Sequence, residues 1–399
     1  MVIKMKKFEK VAATKENPKW ENMIKRTTPL YIRENEKRTE FGRDYTRIIH
    51  SRAYRRLKHK TQVFFSPSND HICTRIEHVN YVESISYTIA NALGLNTELT
   101  KAISVAHDLG HSPFGHVGER VLDEITKKEI NQSFWHEKNG LHLVDSIELL
   151  EDEEGNRLNL DLTYAVRDGI ISHCGEVDEN GIKPRENAID LKEYTMPNAY
   201  SPYTWEACVV KIADKISYIG RDLEDALKLK LLKPEKIEEL ERILELNANV
   251  NNTNFINTVI SDICENSSIE KGIQFSPKVL KQMEQMKIFN YENIYLHSRL
   301  KPSNQYFGMV IHQIFDSLYT CFEIGKTLEN IKKDSQVYPK LMNEFYDWLA
   351  LYNAQTHIGK NKVLYNLQNK QDYAKAIIDY ISGMTDNYAI EMYEEIIRF

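Results

Sequence analysis

The side chains best suited to chemistry are concentrated in one short stretch of this sequence. Residues 107–119, HDLGHSPFGHVGE, hold three histidines and two carboxylates. Imidazole nitrogens and carboxylate oxygens are good ligands for divalent ions, and histidine also transfers protons near neutral pH. A lone histidine on an apolar face is usually a core residue, but a purely structural loop rarely contains three. The stretch therefore predicts a metal site with proton-transferring groups beside it in the sequence.

Helical spacing indicates which elements would position the metal ligands. His78 shares the apolar face of one predicted helix, and His107 emerges from the apolar face of the next. Asp108 is the neighbour of His107, and Asp214 lies in a long helix predicted from near Trp205 to Leu232. Two imidazoles and two carboxylates would suit Mn²⁺, Mg²⁺, Fe²⁺ or Zn²⁺ and would leave positions for water and a phosphate oxygen.

The rest of the sequence predicts a mainly α-helical fold. Glycine (16) and proline (11) are sparse, and apolar residues often recur at helical spacing. We expect a partly ordered N-terminal segment over 1–29, a helical catalytic core over 30–232 and a helical extension over 233–399. Within the core, residues 151–162 could form a strand pair or a loop, and residues 174–203 should be irregular.

Composition excludes several classes of protein. The net charge of -6 argues against a protein that coats DNA, and five cysteines without a CxxC pair argue against a disulfide framework or a cysteine zinc site. We find no signal peptide and no apolar run long enough to span a bilayer, so we expect a cytoplasmic protein. P-loop, serine-hydrolase and Rossmann motifs are also missing from the sequence.

Four strings in order resemble the dGTPase branch of the HD phosphohydrolase superfamily. They are DYTRIIHSRAYRRLKHKTQVF (44–64), RIEH (75–78), HDLGHSPFGHVGE (107–119) and ADKISYIGRD (213–222). The resemblance implies an HD-domain helical core and hydrolysis of deoxynucleoside triphosphates (dNTPs) to deoxynucleoside and inorganic triphosphate. It also implies that the metal ligands are His78, His107, Asp108 and Asp214.

The resemblance assigns further roles to matching positions. His111 and His116 match histidines that contact the triphosphate or assist at the scissile phosphorus. Glu119 matches an acidic residue paired with His116, and His136 resembles another catalytic histidine. The substrate-binding positions implied are two phosphate-binding cations, a tyrosine against the deoxyribose and two groups on the 3′-hydroxyl: Arg75, Lys215, Tyr218, Gln62 and Asp222. Without the resemblance, Tyr218 and Asp222 would be interpreted as a helix-surface pair.

Regulation and assembly rest on the same resemblance. A run of basic residues between Arg43 and Lys60 could be a solvated helix face, an allosteric nucleotide site or a site for single-stranded DNA. The related enzymes are oligomeric, so we expect a homo-oligomer, either a tetramer or a hexamer.

Two other functions stay open at this point. One is a different HD phosphohydrolase, such as a nucleotidase or phosphodiesterase. The other is a non-catalytic nucleotide sensor, although all four metal ligands are present. The base preference is not specified, and Tyr291, Tyr295 and Arg299 are candidates for reading the base.

Overall fold

The computed structural model describes residues 5–30, 35–65, 69–174, 180–244, 252–357 and 359–398. Across those residues the chain forms seventeen α-helices and two three-residue strands, so the prediction of a mainly α-helical fold is confirmed. Packing divides the chain into two compact units. The first contains Met1–Ile49, Ser68–Asp108 and Asp161–Leu300, and the second contains His50–Pro67, Leu109–Leu160 and Lys301–Phe399. Because the units are interleaved in sequence, neither coincides with the ranges 30–232 or 233–399.

The bounds of the elements follow in chain order. Up to the end of the hairpin they are α1 (Trp20–Ile24), α2 (Glu40–His50), α3 (Arg52–Arg56), α4 (Arg75–Leu93), α5 (Thr97–Ala106), α6 (Gly115–Ile130), α7 (His136–His142), β1 (Leu149–Glu151) and β2 (Arg157–Asn159). The later helices are α8 (Tyr164–Ser172), α9 (Trp205–Lys228), α10 (Pro234–Ile243), α11 (Asn252–Asn266), α12 (Pro277–Asn290), α13 (Leu300–Tyr319), α14 (Thr327–Asp334), α15 (Pro339–Ala350), α16 (Lys370–Ser382) and α17 (Asp386–Ile397).

The core of the first unit is built from α4, α5 and α9, which pack on one another. The Asn96 side chain caps α5 by accepting hydrogen bonds from the backbone N–H groups of Glu98 and Leu99. Helix α9 begins at Trp205 as expected but ends at Lys228, four residues before the predicted end. Lys230 adopts a left-handed conformation with φ of 56°, which ends the helix early.

The described part of the N-terminal segment contains regular structure. Residues 5–30 include a short 3₁₀ turn at Glu9–Val11 and helix α1. Phe8 is fully buried, and its ring packs edge-on against Trp205 with centroids 5.0 Å apart. Burial of this aromatic ring contributes roughly 1.5–3 kcal/mol and so offsets part of the entropy lost in ordering the segment. Between residues 180 and 203 the described chain is irregular apart from one 3₁₀ turn, Leu191–Glu193.

The second unit has its own apolar core. Helix α6 packs against α16, and α15 packs against α14, α16 and α17. Side chains from these helices and from α13 form one continuous buried cluster that includes Phe114, Leu122 and Ile311. Strands β1 and β2 pair antiparallel, which decides in favour of the strand pair near 151–162. No helix within the described ranges combines the length and apolar character needed to cross a bilayer.

A buried carboxylate joins three parts of the first unit. Glu206, on α9, is fully buried, and its Oε1 accepts hydrogen bonds from the backbone N–H of Ala13 at 2.9 Å and of Asn96 at 2.8 Å. Burial raises the pKa of Glu206, and the hydrogen bonds from Ala13 and Asn96 lower it by less. Folding therefore favours the protonated form of this side chain.

This pKa shift predicts a pH-dependent difference between the wild type and Glu206→Gln. An acid whose pKa is raised by folding contributes stability below its unfolded pKa and loses it as pH rises through the folded pKa. The free energy of unfolding of Glu206→Gln, minus that of the wild type, should increase from about pH 4 to about pH 8, by about 1.4 kcal/mol for each pKa unit of the shift. Urea denaturation at several pH values measures this difference, and a flat difference would contradict the assignment.

Candidate metal centre and histidine cluster

Four side chains converge inside the first unit, and they are the four predicted metal ligands. His78 comes from α4, His107 and Asp108 directly follow α5, and Asp214 comes from α9. His78 Nε2 lies 3.0 Å from Asp214 Oδ1 and 3.8 Å from Asp108 Oδ2. His107 Nε2 lies 3.8 Å from Asp214 Oδ1 and 3.6 Å from Asp108 Oδ1. Ligand atoms of His78, His107 and Asp214 lie within 4.8 Å of one another, and Asp108 lies beside both histidines, so these buried or largely buried side chains could all be ligands of one ion.

The backbone fixes the tautomer of His107. Its Nδ1 lies 2.7 Å from the carbonyl oxygen of Ser104, and because a carbonyl can only accept, Nδ1 must carry a proton. In the neutral ring, Nε2 then carries a lone pair. Nε2 is buried and has no hydrogen-bond partner among the described residues. A buried acceptor nitrogen that faces two carboxylates is what a bound cation requires.

The electrostatics of Asp214 and His78 also fit a cation. Burial alone would raise the pKa of Asp214, but the hydrogen bond from His78 and the charges of His107 and His78 hold it below its usual value. Burial likewise opposes a charge on His78, but Asp214 and Asp108 raise the pKa of its ring. The carboxylates thus stabilise positive charge at this position, whether a proton or a metal ion supplies it.

Arg75 contacts Asp108, one of the predicted metal ligands. The first residue of α4, it donates a hydrogen bond from Nη1 to Asp108 Oδ2 at 2.7 Å, and both side chains are almost fully buried. A charge-assisted bond of this kind orients the carboxylate that it contacts. The resemblance implied that Arg75 binds phosphate, and it did not indicate this contact with Asp108.

The sugar-site candidates follow Asp214 along α9. Lys215 and Asp222 are buried, and Tyr218 is partly exposed. Asp222 accepts a hydrogen bond from the hydroxyl of Tyr295. Tyr291 and Arg299 are exposed, so the three residues proposed to read the base do not share one environment.

The second unit brings His111, His116, His136 and Glu119 together. The rings of His111 and His136 stack with centroids 3.9 Å apart. Glu119 contacts His136 through its Oε2, 3.1 Å from Nδ1, and through its Oε1, which accepts a hydrogen bond from the His136 backbone at 3.3 Å. His116 Nδ1 is farther from Glu119, at 3.6 Å. The closest partner of Glu119 is therefore His136, whereas sequence reasoning paired it with His116.

The histidines of this cluster stabilise the ionised form of Glu119. Burial would raise the pKa of Glu119, but the charge of His136 and contacts with His116 and His136 hold it far below its usual range. The side chain of His136 is 12% exposed and that of His116 is 55% exposed. Ligand atoms of His111, Glu119 and His136 lie within 4.8 Å of one another, so this group could also bind an ion. With Glu119 as the partner of the ring, the cluster can hold a proton.

The loop before α6 is held by close packing at a glycine and by hydrogen bonds to its backbone carbonyl groups. A Cβ on Gly110 would lie 2.0 Å from the His136 carbonyl oxygen, so only glycine permits this approach to α7. The Asn139 side chain donates to the Gly110 carbonyl at 2.7 Å, and buried Lys60 donates to the carbonyl oxygen of His111. Gln62 lies just after Lys60 in the same unit. The basic run that contains Lys60 is thus not simply a solvated face.

Comparisons with known proteins identify the family of this chain. A family model of the HD domain matches residues 75–219, and a model of the phosphohydrolase-associated domain matches residues 332–395. A deoxyguanosinetriphosphate triphosphohydrolase-like protein of Caldanaerobacter subterraneus is 35% identical over 368 residues, 91% of this chain and 87% of the relative. The chain belongs to this triphosphohydrolase-like family. A protein with the same description from Desulfatibacillum aliphaticivorans is 32% identical, over 90% of this chain and 88% of the relative. Another, from Rickettsia prowazekii, is 31% identical, over 90% of this chain and 92% of the relative.

Membership of the triphosphohydrolase-like family makes the protein an HD-domain phosphohydrolase. HD domains bind divalent metals, and His78, His107 and Asp214 form a group able to hold one. The metal-ligand roles within this family member stay predictions and can be tested directly.

Replacing a ligand should remove the metal and leave the fold. Asp108→Ala and His107→Gln should each lower the affinity for Mn²⁺ by more than about 100-fold, since even partners of ligands cost 10- to 100-fold. Calorimetric titration of metal-free protein measures this affinity. His142→Gln is the control, because the His142 ring bonds Asp379, 2.8 Å from its Nε2, and His142 belongs to none of the groups of described residues able to hold an ion. Wild-type affinity in Asp108→Ala, or equal losses in the control, would contradict the assignment.

Proposed function

We propose that the protein hydrolyses dNTPs, with dGTP among them, to a deoxynucleoside and inorganic triphosphate. The observation that carries this proposal is the convergence of His78, His107, Asp108 and Asp214, with the buried Nε2 of His107 lacking any hydrogen-bond partner among the described residues. The relatives support it because their names describe them as deoxyguanosinetriphosphate triphosphohydrolase-like. The reaction breaks the bond between the α-phosphorus and the 5′-oxygen, with water as the nucleophile.

The metal would be held by these four side chains. Two imidazoles and two carboxylates accept Mn²⁺, Mg²⁺, Fe²⁺ or Zn²⁺. When bound, such an ion neutralises phosphate charge and lowers the pKa of a coordinated water. Arg75 keeps the Asp108 carboxylate oriented through its bond to Oδ2, which would limit the reorganisation needed on binding.

Substrate recognition is proposed for cations and for residues that follow Asp214. Lys215 and Arg75 would bind phosphate oxygens. Tyr218 would pack against C2′ of the sugar, where the hydroxyl of a ribonucleotide would be excluded. Asp222 would accept a hydrogen bond from the 3′-hydroxyl, and Gln62 would bond the same hydroxyl. The support for Asp222 is its buried position on α9, eight residues after Asp214.

The histidine cluster is proposed to supply the proton for the leaving group. Glu119 lies beside Nδ1 of His136 and would fix the proton there, which leaves Nε2 to exchange a proton with the reacting oxygen. His116 is the more exposed ring and would donate to the triphosphate or to the 5′-oxygen, with His111 stacked on His136. The leaving oxygen would then depart as the neutral 5′-hydroxyl.

The products decide between this function and its alternatives. We expect each accepted dNTP, incubated with the protein and Mn²⁺ or Mg²⁺, to give deoxynucleoside and intact triphosphate in equal amounts. Ion-exchange chromatography separates triphosphate, pyrophosphate and phosphate. Release of phosphate from nucleoside monophosphates would indicate a nucleotidase, and cleavage of cyclic nucleotides a phosphodiesterase. Nucleotide binding without turnover would indicate a sensor.

Removing the proposed acid–base groups should slow turnover while the metal stays bound. We expect His116→Ala, His136→Asn and Glu119→Gln each to lower kcat by about 10²- to 10⁴-fold, the usual contribution of a general acid or base. The metal should stay bound, because none of the three residues is a proposed ligand. Metal content and melting temperature are measured on the same samples. Glu124→Gln removes an exposed carboxylate from the same helix, α6, and should leave kcat unchanged. A variant with normal kcat, or one that loses metal in proportion to activity, would leave that residue outside the mechanism.

The oligomeric state, the cellular location and the regulatory ligand are also proposals. We infer a homo-oligomer, a tetramer or hexamer, because closed symmetric assemblies are the commonest oligomers. All five cysteines are free, which suits a reducing cytoplasm. An allosteric nucleotide or single-stranded DNA could contact the basic residues between Arg43 and Lys60, although Arg43, Arg47 and Lys60 are largely buried in their own units.

A further inference from the structure

The carboxylate of Asp222 has a partner that the sequence did not indicate. The hydroxyl of Tyr295 donates a hydrogen bond to Asp222 Oδ2 at 2.5 Å. The two residues are 73 positions apart in the chain and belong to the same unit. Asp222 is 2% exposed, so this bond is formed away from bulk water. A short bond to a buried carboxylate is strong and directional.

A break in helical geometry places Tyr295. Helix α12 ends at Asn290 and continues as one π-helical turn, Tyr291–Tyr295. Asn290 anchors this junction by donating from Nδ2 to the Ile219 carbonyl oxygen on α9 at 2.8 Å, and Ile294 is fully buried. Isolated π-helical turns often occur at functional sites, where they re-aim a side chain. Here the turn brings the Tyr295 hydroxyl to α9, three residues beyond the anchored carbonyl.

Burial and the charge of Asp222 keep the Tyr295 hydroxyl protonated. Burial and the neighbouring Asp222 carboxylate raise the pKa of Tyr295 well above its ordinary value. The phenol therefore keeps its proton and acts as a donor to the carboxylate. An ionised carboxylate is an acceptor only, with lone pairs on both oxygens, so a ligand that meets Asp222 has to bring a donor of its own.

We propose that Tyr295 is a positioning residue for sugar recognition, which fixes Asp222 as an acceptor for a free 3′-hydroxyl. This inference rests on the proposed function, in which Asp222 contacts the 3′-hydroxyl. It adds a specificity: nucleotides without a 3′-hydroxyl lose the bond, and those with a 3′-phosphate are repelled by the fixed negative charge.

The test compares each dNTP with its 2′,3′-dideoxy counterpart. In the wild type we expect kcat/KM to favour the dNTP by about 10- to 100-fold, the range for a hydrogen bond to a charged group. Tyr295→Phe should reduce this preference by about tenfold, because the carboxylate is no longer held in one orientation. Asp222→Ala should abolish it. A purely structural effect would lower kcat/KM equally for both nucleotides and leave the ratio unchanged.

Controls separate this inference from the proposed function. Glu292→Gln changes an exposed side chain of the same π-helical turn and should keep the wild-type ratio. The preference for the dNTP over its dideoxy counterpart is also measured as a ratio of dissociation constants by calorimetry. This second measurement does not depend on turnover. If Asp222→Ala loses the preference but Tyr295→Phe keeps it, the inference is wrong and the assignment of Asp222 stands. If the wild type shows no preference, both are wrong.

Discussion

The first unit depends on the burial of two carboxylates, Asp108 and Asp214, beside two imidazoles. Charged groups are buried at a high free-energy cost unless opposite charges or hydrogen bonds compensate. Arg75 compensates Asp108, and His78 compensates Asp214 by a hydrogen bond from Nε2, and by its charge when the ring is protonated. The three packed helices α4, α5 and α9 bring these groups together, so the arrangement of the core is also the arrangement of the candidate metal centre.

The same residues explain why a metal-binding interpretation is stronger than a structural one. A structural histidine in a core usually satisfies both ring nitrogens. His107 satisfies Nδ1 with the Ser104 carbonyl and leaves Nε2 facing carboxylates. The second unit differs, because Glu119 there is closest to His136 and the pair can hold a proton without an ion. The two groups of side chains therefore suit different chemical tasks.

Much of this could be predicted from the sequence, because the relevant signals are local. His78, His107 and Asp214 share helix faces with apolar residues at helical spacing, and Asn96 is a strong N-cap. Contacts between distant segments were not predictable in this way. Glu119 and His136 meet across 17 residues, and Tyr295 reaches Asp222 through a π-helical turn that breaks the helical period. The burial of Phe8 against Trp205 is likewise a tertiary contact without a local signal.

The most direct test of the central claim is a crystal structure of the protein grown with Mn²⁺, with diffraction recorded at the manganese absorption edge. We predict an anomalous peak about 2.0–2.3 Å from Nε2 of His78, Nε2 of His107 and one carboxylate oxygen each of Asp108 and Asp214. An anomalous peak bound instead by His111, Glu119 and His136, or the absence of any peak at the four converging side chains, would contradict the account.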